Sequence, residues 1–113
     1  MSIKERIERG AALLDEKIPE WESRLDLAFL HMASGCQCVL GQADEGDFWL
    51  ALRKLFPYVQ NESDLWQLAF EYGFNIQPHG DRYGLTEEDE RYYASLTAEW
   101  KKFITERRKQ HAS

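Results

Sequence analysis

The residues best suited to bind a metal ion are Cys36 and Cys38, with His31 five positions before the first of them. Thiolates and imidazoles are the usual zinc ligands. Short zinc motifs, however, combine two separated pairs of ligands, and thioredoxin-like redox motifs place two residues between their cysteines. We therefore expect no metal and no cofactor. A small metal-bearing or thiol-bearing helical domain that uses Cys36 and Cys38 stays open as an alternative.

The densest group of acids, Glu87 to Glu90, could supply carboxylates for acid-base catalysis or for binding a cation. It follows Thr86, a residue type that caps helices. In a first helical turn, negative charge is favoured by the helix dipole by about 0.3 to 1 kcal/mol per residue. Five bases between residues 101 and 109 would lie in the last turns of the same helix, where positive charge is favoured. One long helix therefore accounts for both groups without a site.

Candidate nucleophiles lack the sequence context that enzymes use. Ser34, Ser63 and Ser95 are not part of a Gly-x-Ser-x-Gly pattern. Glycine-rich segments that cradle phosphate groups are also absent from the sequence. We therefore expect a protein that is not an enzyme.

Two segments combine residue types that are common at protein interfaces. Trp49 directly follows Phe48, so the two rings cannot share one orientation, and Trp49 is a candidate surface aromatic. A ring partly buried under a loop is the alternative. The second segment is rich in Gly and Pro and lies near residues 75–85, and segments of this type often carry function. The candidate interaction residues are Trp49, Asp44, Glu45, Asp47, His79, Asp81, Arg82 and Tyr83.

The formal net charge of −6 is unevenly distributed along the chain. Residues 44–99 carry 12 acids and 4 bases, whereas residues 101–113 carry 5 bases and 1 acid. An acidic surface repels nucleic acid, so the expected partner is another protein, and a homo-oligomer stays open. The chain would then be a protein-interaction or regulatory protein. A further alternative is an acidic mimic of nucleic acid that inhibits a nucleic-acid-binding protein.

Apolar residues recur at helical spacing near both ends of the chain. Ser2 and Glu5 have the spacing of a capping box, which predicts a helix that runs to about Lys17. The last helix is expected to follow Thr86 and to be about 20 residues long. The two apolar stripes consist of Ile3, Ile7, Ala11, Leu14 and Ile18 in the first helix, and of Tyr93, Leu96, Trp100, Phe103 and Arg107 in the last.

Shorter elements are expected between these two helices. Residues 24–32 have no clear period and are predicted to be irregular. Residues 34–55 have a helical pattern that two glycines interrupt, which predicts two short helices. Another helix, capped by Ser63 or Asp64, is expected to close at Gly73.

These elements predict one all-α domain over residues 1–113. We expect a compact bundle of four to five helices, with long first and last helices packed together and one Gly/Pro loop near residues 75–85. Trp21, Trp66 and Trp100 are expected in the core. No apolar run approaches the roughly 20 residues that a membrane-spanning helix needs. The first residues lack the apolar stretch of a secretory signal, so a cytoplasmic location is expected.

Four short segments carry a resemblance to a known group of proteins: residues 9–16 (RGAALLDE), 19–21 (PEW), 25–27 (LDL) and 38–42 (CVLGQ). Together they resemble a family of small proteins of actinobacteria and their phages that has no assigned activity. The resemblance covers about the first 45 residues and implies a phage or prophage origin, without a mechanism. The family pattern places two residues between its two cysteines. This chain has Gly35 where the first of those cysteines would stand and Cys36 one position later, which weakens any shared metal or redox role.

Overall fold

The regular structure of the chain consists of helices. The computed structural model describes residues 2–34, 37–44, 46–75 and 87–111, and no strand occurs among them. The helices are α1 (Ile3–Lys17), α2 (Trp21–Arg24), α3 (Val39–Ala43), α4 (Phe48–Leu55), α5 (Glu62–Glu71) and α6 (Glu87–His111). The all-α prediction is confirmed, with a long first and a long last helix. The short helix α2 was not expected, and most of the Gly/Pro loop predicted near residues 75–85 lies outside the described residues, which omit 76–86.

Local hydrogen bonds explain where the helices begin. The Ser2 hydroxyl accepts a hydrogen bond from the backbone N–H of Glu5 at 3.1 Å, so the predicted helix start with Ser2 as the cap is confirmed. The prediction that Ser63 or Asp64 caps α5 is wrong. Asn61 caps this helix instead, because its Oδ1 accepts from the backbone N–H of Ser63 at 2.8 Å. The region expected to hold two short helices contains α3 and α4, as predicted.

The core lies between α1 and α6, with the shorter helices packed around them. Ile7 and Leu14 of α1 are buried, as are Leu96 and Trp100 of α6. Ile104 is also buried, although the predicted stripe of α6 contained Phe103 in its place. The Cα radius of gyration is 13.3 Å, close to the value of about 13 Å expected for one compact domain of this length.

Two glycines allow a close approach of α1, the end of α5 and α6. Gly73 has a φ of 76°, which glycine adopts without strain, and its carbonyl accepts a hydrogen bond of 2.7 Å from the indole Nε1–H of Trp100. A Cβ atom at Gly10 would clash with the carbonyl oxygen of Tyr72 and would lie 3.1 Å from the Phe74 ring. The predicted role of Gly73 at the end of α5 is confirmed. We call Gly10, Gly73, Phe74 and Trp100 the glycine junction.

The basic end of α6 is held against the segment that follows α1. Arg107 forms ion pairs with Asp15 at 3.1 Å and with Glu22 at 3.0 Å. Arg108 donates hydrogen bonds of 3.0 Å to the carbonyl oxygens of Glu22 and Leu25. The helix dipole is therefore not the whole explanation of these bases, because two of them also attach the end of α6 to the rest of the fold.

Candidate protein-interaction site

A cleft of about 370 Å³ opens between the start of α4, the face of α5 and the first half of α6. Five aromatic residues line it, and Phe48, Trp49, Trp66 and Tyr93 are only half-buried, whereas Phe74 is buried. We call these five residues the aromatic cleft. The ring centroids of Phe48 and Trp66 lie 5.8 Å apart, and those of Trp49 and Trp66 lie 5.0 Å apart. These rings form a continuous aromatic surface that is open to solvent on one side.

The sequence around α4 explains why its two aromatic residues lie at an edge. Asp47 caps α4 by accepting a hydrogen bond of 3.1 Å from the backbone N–H of Leu50, which places Phe48 and Trp49 in the first turn. The face of α4 that enters the core is made by Ala51, Leu52 and Leu55, all fully buried or nearly so. The two rings therefore flank the buried face and contact each other at 5.9 Å between centroids.

Trp66 reaches the cleft through its position on α5. Leu65 and Ala69 form the buried face of this helix, and neither exposes any of its surface. Trp66 is one residue, about 100° around the helix, from Leu65. Its ring consequently lies beside the buried face instead of within it, and the prediction that Trp66 belongs to the core is wrong in this respect.

The polar groups of the cleft are engaged within the protein. The hydroxyl of Tyr93 donates a hydrogen bond of 2.6 Å to Oδ1 of Asn75, which is only 4% exposed. The thiol sulfur of Cys38 accepts from the backbone N–H of Gly41 at 3.3 Å and caps the start of α3. The cleft thus presents mainly aromatic carbon, and these bonds hold its walls in place.

Of the eight residues predicted to bind a partner, two line the cleft, one is buried elsewhere and five lie outside the described residues. Trp49 and Asp47 line the aromatic cleft. Asp44 does not, because it is 7% exposed and forms an ion pair of 3.0 Å with Lys54. Its carboxylate is therefore engaged inside the fold and does not match the exposed acid that was predicted. Glu45, His79, Asp81, Arg82 and Tyr83 lie outside the described residues.

The residues considered for metal binding are only partly described. The His31 side chain is exposed, and its Nδ1 accepts from the backbone N–H of Ala33 at 3.2 Å. Cys38 is buried in the wall of the cleft, and Cys36 lies outside the described residues. Within the described part of the chain, no three His, Cys, Asp or Glu side chains come together in a group that could hold a metal ion.

Sequence reasoning missed Trp66, Phe74 and Tyr93 as members of the cleft. A signal for Trp66 was present in its neighbour Leu65, because adjacent residues of a helix point about 100° apart and cannot both point into the core. Tyr93 was assigned to the apolar stripe of the last helix, and nothing in the spacing of Tyr93 or Phe74 indicated that either ring lines a cleft. None of the helices in the described part combines the length and apolarity needed to cross a bilayer.

Comparison with known proteins does not assign this cleft. No protein-family model, no curated protein and no solved structure matches the chain. The geometry of the aromatic cleft and the charges around it are therefore the features that indicate a function.

Proposed function

We propose that the chain is a protein-interaction module, without an enzymatic step of its own, and that the aromatic cleft binds an apolar segment of a partner protein. The observation that carries this proposal is the half-burial of four neighbouring aromatic rings around one open cavity. Tryptophan and tyrosine are the residue types most enriched among residues that dominate binding energy. Their large rings lose little conformational entropy on binding, especially when helices already hold them.

The size of the cleft limits what it accommodates. A volume of about 370 Å³ is near the lower end of the roughly 300 to 1,000 Å³ typical of ligand sites. This space suits one or two apolar side chains of a peptide segment. The hydrogen-bonded polar groups of the walls favour an apolar occupant, because an apolar side chain needs no new hydrogen bond there.

Charge at the rim favours a basic partner segment. Asp47 lines the cleft and is exposed. Glu62 is exposed and lies four residues before Trp66 on α5, which puts the two side chains on the same helix face. The net charge of −6 adds a long-range attraction. We therefore expect the partner segment to carry Lys or Arg beside its apolar anchor.

The resemblance to small proteins of actinobacteria and their phages supports one further proposal. If the chain has a phage origin, its partner is a protein of the bacterial host, and binding regulates that host protein. Affinity capture from an actinobacterial lysate would test whether a host protein binds the chain, with the Trp66→Ser variant as the control bait. This test is separate from the test of which peptide segments the cleft binds.

The binding mode is tested by selecting short random peptides displayed on phage against the immobilised protein. We expect enrichment of peptides that combine an aromatic or long aliphatic residue with neighbouring Lys or Arg. Trp66→Ser should abolish their binding. Asp47→Ser should weaken it in a salt-dependent way, because serine retains the helix cap while the charge is lost.

A matched control is Tyr58→Ser. Tyr58 is 76% exposed and does not line the cleft, so its loss should leave peptide binding unchanged. The proposal is refuted if no peptide family is enriched, or if the enriched peptides bind the folded Trp66→Ser variant as tightly as the original protein.

A further inference from the structure

A second cleft, of about 560 Å³, runs along α6 on the other side of Tyr93. Residues 30–33 form one wall, and α6 forms the floor. The floor residues are Glu90, Tyr93, Ala94, Thr97, Ala98 and Lys101. We call these six residues the α6 groove.

The wall and the floor of the α6 groove are joined by a hydrogen bond. The backbone N–H of Met32 donates to Oγ1 of Thr97 at 2.9 Å, across 65 positions of sequence. Leu30 is 4% exposed and anchors the wall in the core. Buried and hydrogen-bonded groups therefore form the groove, and its shape does not depend on the rotamer of an exposed side chain.

The charges of the groove have opposite signs at its two ends. Glu90 and Lys101 lie 11 positions apart, which is about 16 Å along a helix. Both lie on the same face, because successive floor residues are separated by steps of three and one. Neither forms an ion pair with another described residue. Between them, Ala94 and Ala98 keep the surface low enough for another helix to approach closely.

We propose that the α6 groove binds the α6 groove of a second copy of this chain, with the two helices antiparallel. Around a two-fold axis between residues 95 and 96, Glu90 faces Lys101 of the partner subunit. In the same register the large ring of Tyr93 faces Ala98 of the partner subunit, and Ala94 faces Thr97 of the partner subunit. Every contact then occurs twice, as an isologous interface requires.

Charge complementarity selects this arrangement over a parallel one. In a parallel pair at the same level, Glu90 would face Glu90 of the partner subunit, and the two lysines would face each other as well. Like charges at these positions oppose association. About three helical turns from each copy bury less than a standard interface of about 1,600 Å², so dimerisation is expected at high micromolar protein.

The test is a charge swap followed by sedimentation velocity from low to high micromolar protein. Glu90→Lys and Lys101→Glu should each weaken the dimer at least about tenfold, because each creates two like-charged pairs. The double variant Glu90→Lys/Lys101→Glu should restore it. Glu88→Lys, a reversal in the same turn but outside the groove, is the control for altered net charge.

Two results would overturn this inference: a chain that stays monomeric at the highest concentration, or a double variant that fails to recover association while its circular dichroism spectrum matches the original. The inference does not rest on the proposed partner binding. Trp66→Ser removes part of the aromatic cleft but none of the α6 groove, so it should leave dimerisation unchanged.

Discussion

The glycine junction and the aromatic cleft are both rich in aromatic rings, yet one is sealed and the other is open. Trp100 exposes none of its surface, stacks on Phe74 with 6.0 Å between ring centroids, and has a backbone partner for its indole N–H. The rings of Trp49 and Trp66 contact each other and the ring of Phe48, and both residues remain half-buried. Phe74 belongs to both regions, so the sealed junction supports one wall of the open cleft.

The difference has a physical cause in the backbone. At the glycine junction, the missing side chains of Gly10 and Gly73 let the segments approach so closely that a Cβ atom at either position would crowd the facing backbone. At the cleft, α4 and α5 pack through Leu52, Leu55 and Leu65, and the adjacent aromatic rings extend beyond that contact. Aromatic composition alone therefore does not distinguish core from binding surface.

The largest expected effect comes from adding one methyl group to the junction. Gly10→Ala should lower the free energy of unfolding by about 2 to 4 kcal/mol, because the new Cβ atom would overlap the Tyr72 carbonyl. Helix propensity alone predicts the opposite sign, a gain of about 1 kcal/mol. Urea unfolding measures the difference. Ala12→Gly, at an exposed site of the same helix, is the control and should show the ordinary propensity loss; a stabilised Gly10→Ala would contradict the close approach.

The same substitution, Trp to Phe, should cost more stability in the glycine junction than in the aromatic cleft. Trp100→Phe should destabilise the fold by about 2 to 3 kcal/mol, since it removes buried surface and leaves the Gly73 carbonyl without its donor. Trp66→Phe keeps an aromatic ring at a half-buried position and should lower stability by less than about 1 kcal/mol. Equal losses in thermal unfolding would show that the two regions do not differ in packing as described.

The smallest effect is expected at the margin of the junction. Nε and Nη1 of Arg6 are buried without a hydrogen-bond partner among the described residues, and burial lowers the pKa of this guanidinium. The Cζ atom of the Arg6 guanidinium lies over the Phe70 ring, 4.2 Å from the ring centroid. Because these two buried nitrogens lack hydrogen-bond partners and methionine has no polar atom to satisfy, Arg6→Met should leave stability unchanged or raise it by up to about 1 kcal/mol. A loss above that size would mean that the charge itself stabilises the junction.

The parts of the fold that sequence predicted are those governed by local periodicity and capping. The stripes of α1 and α6, the Ser2 cap and the left-handed Gly73 each depend on residues within a few positions of one another. Gly10 did not reveal its role, because that role depends on Tyr72, which is distant in sequence. The cap of α5 was placed two or three residues too late, because several neighbouring polar side chains can all cap a helix.

The candidate site was predicted only in part, for the same reason. Trp49 and Asp47 were identified, since an adjacent pair of rings and neighbouring acids are visible in the sequence. Trp66 joins them only through the packing of α4 on α5, and Asp44 is withdrawn from the surface by Lys54. Long-range packing thus decides which predicted residues become accessible.

Recognition of a partner through the aromatic cleft is tested most directly by titrating the protein with a selected peptide. The four indole N–H signals are monitored in a ¹H–¹⁵N NMR spectrum during the titration. The signals of Trp49 and Trp66 are expected to shift, while those of Trp21 and Trp100 keep their positions. Shifts confined to Trp21 and Trp100, or a bound peptide that moves none of the four signals, would contradict recognition through the aromatic cleft.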